Sequence, residues 1–234
     1  MAHDAMVRRL GENGAAIRRF VMDLIYPEGA VCRTCGRISG GDVLCPECAE
    51  RLQRDGGLFA WARDDLEPDL PAYSLRLHDG IARQLILRLK HQAEACAARP
   101  LADLLIPLPD EPAFPPDTVV TWVTMPESRR RERFIDHGRI LASATAEKLS
   151  LSCRQLIVRR ETGERNQASL NRLDREKNLQ HAFDPAERIS FPVLLVDDVL
   201  TTGTTARRCA DALRRGGAQR ITVLTFTRAS RSGL

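Results

Sequence analysis

One stretch constrains this chain more than any other: Val193–Leu194–Leu195–Val196–Asp197–Asp198–Val199–Leu200–Thr201–Thr202–Gly203–Thr204–Thr205. Four apolar residues predict a buried parallel strand over Val193–Val196. In an open α/β sheet, ligands sit beyond the carboxyl ends of the strands, which is where Asp197 and Asp198 are expected to emerge. A loop of hydroxyls around Gly203 follows and leads into a helix over Thr204–Arg215, stopped by Gly216–Gly217. Backbone N–H groups at that helix start, with the hydroxyls of Thr201, Thr202, Thr204 and Thr205, can cradle a phosphate. Gly203 lets the backbone close on it. Two acids beside a phosphate make sense for a sugar phosphate: the carboxylates accept from ribose hydroxyls while the 5′-phosphate lies in the loop. The absence of Gly-Lys-Ser/Thr excludes a Walker-type nucleotide loop.

The rest of the chain reads as strands alternating with helices. Strands are expected around Tyr73–Leu77, Val119–Val123, Leu156–Arg159 and Ile221–Phe226. Helices are expected from Asp79 to Lys90, in a stretch ending near Ile106, and over His137–Leu149. That order implies a mainly parallel sheet covered on both faces. Residues 160–175 are too polar for anything but a loop, either disordered or a lid. Cys209 shares an apolar helix face with Ala206, Ala210 and Leu213, and belongs to the core.

The seven cysteines are uneven: four crowd into residues 32–48. Cys32, Cys35, Cys45 and Cys48 form two C-x2-C pairs, which bring four thiolates to one tetrahedral ion. A closed four-thiolate sphere is structural, with Zn²⁺ the metal of choice and iron the alternative. Cysteines used this way argue for a reduced, cytoplasmic compartment. Met1–Tyr26 reads as an amphipathic helix, docked on its own domain or lying on a membrane surface, with no membrane span and no secretory pattern. The expected organisation is a helix over 1–27, a zinc knuckle over 28–54, a linker over 55–72 anchored by Trp61, and an α/β domain over 73–234. A net charge of +4 permits an anionic ligand. Without a basic stripe interleaved with aromatics, it argues against direct nucleic-acid binding. The basic run Arg129–Arg130–Arg131, with Arg133, is either a solvated face or a phosphate patch.

The 193–205 stretch closely resembles the diphosphoribosyl-binding motif of type I phosphoribosyltransferases. An amphipathic helix, a four-cysteine knuckle, Leu89–Lys90–His91 and a C-terminal transferase domain together resemble the ComF/GntX family, linked to DNA uptake in competence. Weaker matches are Pro126, Arg133, Leu141–Ala142, Gln167, Leu170, Arg175, Asn178 and Phe183. The resemblance implies a type I phosphoribosyltransferase fold and binding of phosphoribosyl diphosphate with Mg²⁺. It implies either transfer of phosphoribosyl to an acceptor or an accessory role beside competence partners. Asp197, Asp198 and Thr201–Thr205 would hold ribose and phosphate, and Lys90, Arg129, Arg130 and Arg133 the diphosphate. The chain departs from the family at Thr124–Met125–Pro126, where Pro-Val-Pro is usual. It departs again at Arg133–Phe134–Ile135–Asp136–His137, where Arg-Gly-Phe-Asn-Gln is usual.

Overall fold

The computed structural model describes residues 30–54, 62–105, 114–126, 135–160 and 182–229. The amphipathic helix 1–27, Trp61, Arg129–Phe134 and the loop beyond Arg160, with Gln167, Leu170, Arg175 and Asn178, lie outside the described residues. Two compact units divide between Arg51 and Leu52.

In the first unit, the N–H of Gly36 donates to the Cys32 carbonyl at 2.9 Å and that of Cys32 to the Arg37 carbonyl at 2.7 Å. These bonds fold the first cysteine pair into a tight turn, closed by an antiparallel bridge between Val31 and Ile38. Helix α1 (Pro46–Arg54) opens at the second pair. A proline at the first helical position loses only an N–H that has no intrahelical acceptor.

The second unit is built on a sheet ordered β1-β2-β8-β7-β3-β4. Its strands are β1 (Ala62–Glu67), β2 (Leu70–Leu77), β3 (Val119–Trp122), β4 (Ser152–Cys153), β7 (Val193–Leu200) and β8 (Ile221–Arg228). The β1–β2 pair is antiparallel and every other pair is parallel. β5 (Ile157–Arg159) and β6 (Phe183–Pro185) form a separate antiparallel ribbon. The helices are α2 (Gly80–His91), α3 (Ala98–Ala102), α4 (His137–Leu149) and α5 (Thr204–Gly216).

β7 explains the layering. Val193 and Leu195 share a buried cluster with Ala206, Cys209, Ala210 and Leu213 of α5. Side chains alternate along a strand, so Leu194 and Val196 point to the opposite face. There α4 packs on β3 and β7, and α2 on β2 and β8. Helices thus cover both faces, and Cys209 is core as its helix position implied. α5 ends on Gly217 in a left-handed conformation (φ 108°), with the Ala218 N–H reaching the Leu213 carbonyl at 3.0 Å. This closes the orphan carbonyls of the last turn. No helix among the described residues is long and apolar enough to cross a membrane.

Two expectations change. The segment 55–72 is not a linker throughout, because β1 begins at Ala62 and β2 at Leu70. Charge hid this strand: Arg63, Asp64, Asp65 and Glu67 leave Leu66 as its one large apolar residue, and charged edge strands resist pairing with other chains. β7 does not stop at Val196 either. Asp197 pairs with Thr225, Val199 with Thr227 and Leu200 with Arg228, so the acidic pair lies inside the ladder.

Gly217 offers a clean test of the α5 stop. A Cβ there would stand 2.7 Å from the Ile189 carbonyl oxygen, on a backbone L-residues rarely adopt. Gly217→Ala should cost about 1–3 kcal/mol, read as a fall in urea midpoint with unchanged slope.

Candidate functional site

The carboxyl ends of β2, β7 and β8 meet the starts of α4 and α5, and the polar residues of the chain converge there. Asp198 is buried and faces α2 and α4. Its Oδ2 accepts from Lys90 Nζ at 2.7 Å and from His137 Nε2 at 3.1 Å. The side chains of Lys90, His137 and Asp198 are only 20%, 12% and 9% exposed. Burial works against ionising Asp198, but the His137 hydrogen bond and the Lys90 charge outweigh it and hold the carboxyl below its usual range. The neighbouring Thr227 hydroxyl donates to the Asp198 carbonyl at 3.1 Å and meets His78 Nδ1 at 2.9 Å. Burial, then the charges of Lys90 and Arg83, lower the His78 pKa.

Asp197 occupies the other face. Alternation turns it toward α5, where its charge acts on the thiol of Cys209. Its Oδ1 accepts the Asp198 N–H at 2.9 Å. Burial foremost, then the Asp198 charge, pushes its pKa up to about 7. The two acids expected to share one sugar therefore point apart, with one ionised and one near neutrality.

The hydroxyl loop is formed as the sequence implied. Gly203 is left-handed (φ 73°) and caps α5, with Thr201, Thr202, Thr204 and Thr205 exposed around it. Thr202 Oγ1 lies 2.9 Å from Thr204 Oγ1. The requirement for glycine has a second cause: a Cβ would stand 2.6 Å from Leu66 Cδ2, so β1 closes over the loop. Arg207 ties the two together, donating to the Leu66 carbonyl at 3.2 Å and the Thr202 carbonyl at 2.9 Å. A recess of about 190 Å³ opens between Asp65, Leu66, Thr201, Thr202, Arg207 and Arg228. A larger cavity of about 920 Å³ lies between α3 and α4, and none of the residues 193–205 lines it.

Sequence reasoning missed Arg207, Arg228 and His78. Arg207 left a signal: α5 has no acid in its first turn but carries arginine there, against the helix dipole. Of the expected diphosphate contacts, Lys90 is at the site, bound to Asp198, while Arg129, Arg130 and Arg133 are outside the described residues. Asp136 and His137 have separate tasks. Asp136 caps α4, accepting from the Arg139 N–H at 3.0 Å and from Trp122 Nε1 at 3.2 Å, which fixes the backbone that presents His137.

In the first unit the sulfurs of Cys32, Cys35, Cys45 and Cys48 lie within 4.8 Å of one another. Four thiolates around one zinc ion stand about 3.8 Å apart. The Cys35–Cys45 separation of 3.7 Å fits that tetrahedron. Arg37 donates to Cys35 Sγ at 3.4 Å and to Glu47 at 2.5 Å. Its hydrogen bond, foremost, lowers the Cys35 pKa to about 6, which favours the thiolate a metal needs.

No family model matches the chain. It is 27% identical over 226 residues to DNA utilization protein YhgH of Salmonella typhi, covering 88% of this chain and 94% of that one. It is 33% identical over 105 residues to Competence protein F of Haemophilus influenzae, covering 43% and 46%. The resemblance to the ComF/GntX family holds. Among solved structures, the glutamine phosphoribosylpyrophosphate amidotransferase from B. subtilis is 20% identical, with a TM-score of 0.37. That likeness covers 62% of this chain, which spans only 26% of the larger enzyme. This chain is thus similar to DNA-utilization and competence proteins, and has a mostly parallel α/β sheet and a four-cysteine module.

Two predictions follow from the geometry. Metal analysis of chain purified without chelator should give one zinc per molecule. Cys45→Ser should lose it and destabilise the first unit, while ribose 5-phosphate binding survives. Asp197 supplies the second. An acid whose folded pKa is raised destabilises the native state increasingly above its unfolded pKa, to a constant penalty above pH 7. Asp197→Asn should therefore leave stability unchanged near pH 3.5 and add about 1–3 kcal/mol at pH 8, read by thermal unfolding at both values.

Proposed function

We propose that the chain binds 5-phosphoribosyl diphosphate at the carboxyl end of β7. The left-handed turn at Gly203, with its four exposed threonine hydroxyls beside the Arg207–Arg228 recess, carries this reading. The 5′-phosphate lies on the N–H groups at the start of α5 and on the hydroxyls of Thr201, Thr202, Thr204 and Thr205. Arg207 and Arg228 supply the countercharge. The ribose lies beyond, where Asp198 keeps its second oxygen for a sugar hydroxyl. Asp197, on the opposite face, supports the strand and takes a ribose hydroxyl only if its carboxyl turns past the strand end.

The diphosphate lies toward Lys90. A Mg²⁺ ion brought with it would be held by the ligand's own oxygens and water: Asp198 is already matched by Lys90 and His137, and Asp197 faces away. The ion would spread the charge that develops on the departing diphosphate. The four thiolates hold zinc as a structural ion, since the closed sphere leaves no position for substrate. Similarity to a competence protein supports the reading that the chain works with DNA-uptake partners through protein contacts, not through a nucleic-acid surface of its own.

Calorimetry distinguishes the parts. Ribose 5-phosphate should bind through the loop and Asp198, and phosphoribosyl diphosphate with Mg²⁺ should bind at least tenfold tighter if Lys90 engages the leaving group. Lys90→Met should bring the ratio of the two affinities, measured within the variant so that any effect on Asp198 cancels, to within about twofold of one. Equal affinity of the unmodified chain for the two ligands would instead favour a sensor or accessory role. No binding of either ligand would refute the site.

A further inference from the structure

Among the described residues, two polar side-chain atoms near Asp198 are buried and without any hydrogen-bond partner: His137 Nδ1 and Thr124 Oγ1. Leaving such a group unpaired costs about 1–3 kcal/mol, so each calls for a partner from outside the chain, such as a water or a ligand group. Thr124 stands level with Asp198, because Trp122 pairs with Val196 and the Val123 N–H continues the ladder to the Val196 carbonyl at 3.1 Å. The two orphans therefore belong to the sheet end where the ribose is placed.

His137 is held at both ends. Its backbone is set by the Asp136 cap, itself pinned by Trp122, and its ring by Nε2–H donation to Asp198. A carboxylate on Nε2–H fixes the neutral tautomer that leaves a bare lone pair on Nδ1. A carboxylate orienting an imidazole whose other nitrogen faces the reacting group is the arrangement by which proteins make a base. Lys90 shares the same carboxylate oxygen and keeps Asp198 ionised, so the carboxylate can stabilise the imidazolium once a proton arrives. The ring faces Asp198 from β7 and, through that carboxylate, Lys90 from α2. Asp136 and Arg139 lie on its own turn, and His78 stands beyond Lys90 at the end of β2.

We propose that His137 is a catalytic residue that takes the proton of an N–H or O–H acceptor during phosphoribosyl transfer, with Asp198 as its positioning residue. The inference rests on the ligand reading above. In the step, the acceptor's lone pair forms the bond to C1 of the ribose and the C1–O bond breaks. The diphosphate leaves with that electron pair, and the acceptor's proton passes to Nδ1. The Thr124 hydroxyl, lacking an internal partner, is free to bind the same acceptor. The acceptor class is a small molecule with an ionisable N–H or O–H next to a heteroatom lone pair.

The test uses the full chain with phosphoribosyl diphosphate and Mg²⁺, following diphosphate release to water, hydroxylamine, adenine, guanine and uracil. Release is expected with at least one of them. His137→Gln should lower kcat about 100-fold or more, with KM and ribose 5-phosphate affinity within about twofold. A variant kcat within threefold of the unmodified chain overturns the proposal. Tight binding of phosphoribosyl diphosphate with no release to any acceptor overturns it too, and leaves the ligand reading standing. No binding at all overturns the ligand reading itself. A measurement independent of the variant's folding is the nitrogen NMR spectrum of His137 in the unmodified chain. The neutral ring should carry its proton on Nε2, and a proton on Nδ1 overturns the proposal.

Discussion

The Asp198 carboxylate is the constraint around which the second unit is arranged. A charge this deep costs several kcal/mol unless it is matched at close range. The match comes from two separate helices: Lys90 in the last turn of α2 and His137 in the first turn of α4. Neither helix can shift along the sheet without leaving an unpaired buried charge, a loss of about 3–5 kcal/mol. The apolar stripes of α2 and α4 decide which faces are buried, and the polar cluster decides where along the sheet the helices stop. An apolar core gives depth without fixing longitudinal register, whereas a hydrogen-bonded charge tolerates only fractions of an ångström.

Strand alternation separates the two acids into different chemistry. Asp198 meets Lys90 and His137 and stays ionised, whereas Asp197 meets the packed face of α5 and is pushed toward neutrality. Adjacent carboxylates of unlike pKa can do unlike work, one as a fixed charge and one as a near-neutral hydrogen-bonding group. The adjacency that looks like duplication in the sequence is a division between faces, since residues i and i+1 of a strand never share one.

Much of this was legible in the residues. The run Val193–Val196 announced a buried strand, the four cysteines a metal-sized cluster, and Thr201–Thr205 a loop of exposed hydroxyls at a helix start, because each carries a local pattern that physics permits in few ways. His137–Leu149 is a helix with the expected bounds. What escaped is non-local. β1 escaped because its residues are charged, and only its antiparallel register with β2, from Ala62–Ser74 to Glu67–Leu70, marks it as a strand. Lys90 was expected to meet diphosphate, but the link between Lys90, His137 and Asp198 depends on three elements far apart in sequence. The extension of β7 through the acids escaped for the same reason, since only the presence of β8 alongside makes Asp197 and Val199 ladder residues.

The closure of β1 over Gly203 shows how a sheet edge can serve a loop. Leu66 fills the space a side chain at 203 would need, Arg207 reaches its carbonyl, and Arg214 pairs with Glu67 at 2.9 Å and Asp69 at 3.0 Å. Exposed ion pairs such as Arg214–Asp69 contribute little singly. Here three contacts act along one helix and tie the hairpin to α5. The hydroxyl loop then lies between a helix behind it and a strand tied across its top. On the proposed ligand reading, its hydroxyls and N–H groups would need little reorganisation to take a phosphate, which is what lets short polar contacts convert into affinity. The charged sequence of β1, unfavourable for an interior strand, suits this edge position, because Asp65 is exposed and Glu67 meets Arg214 while Leu66 closes on Gly203.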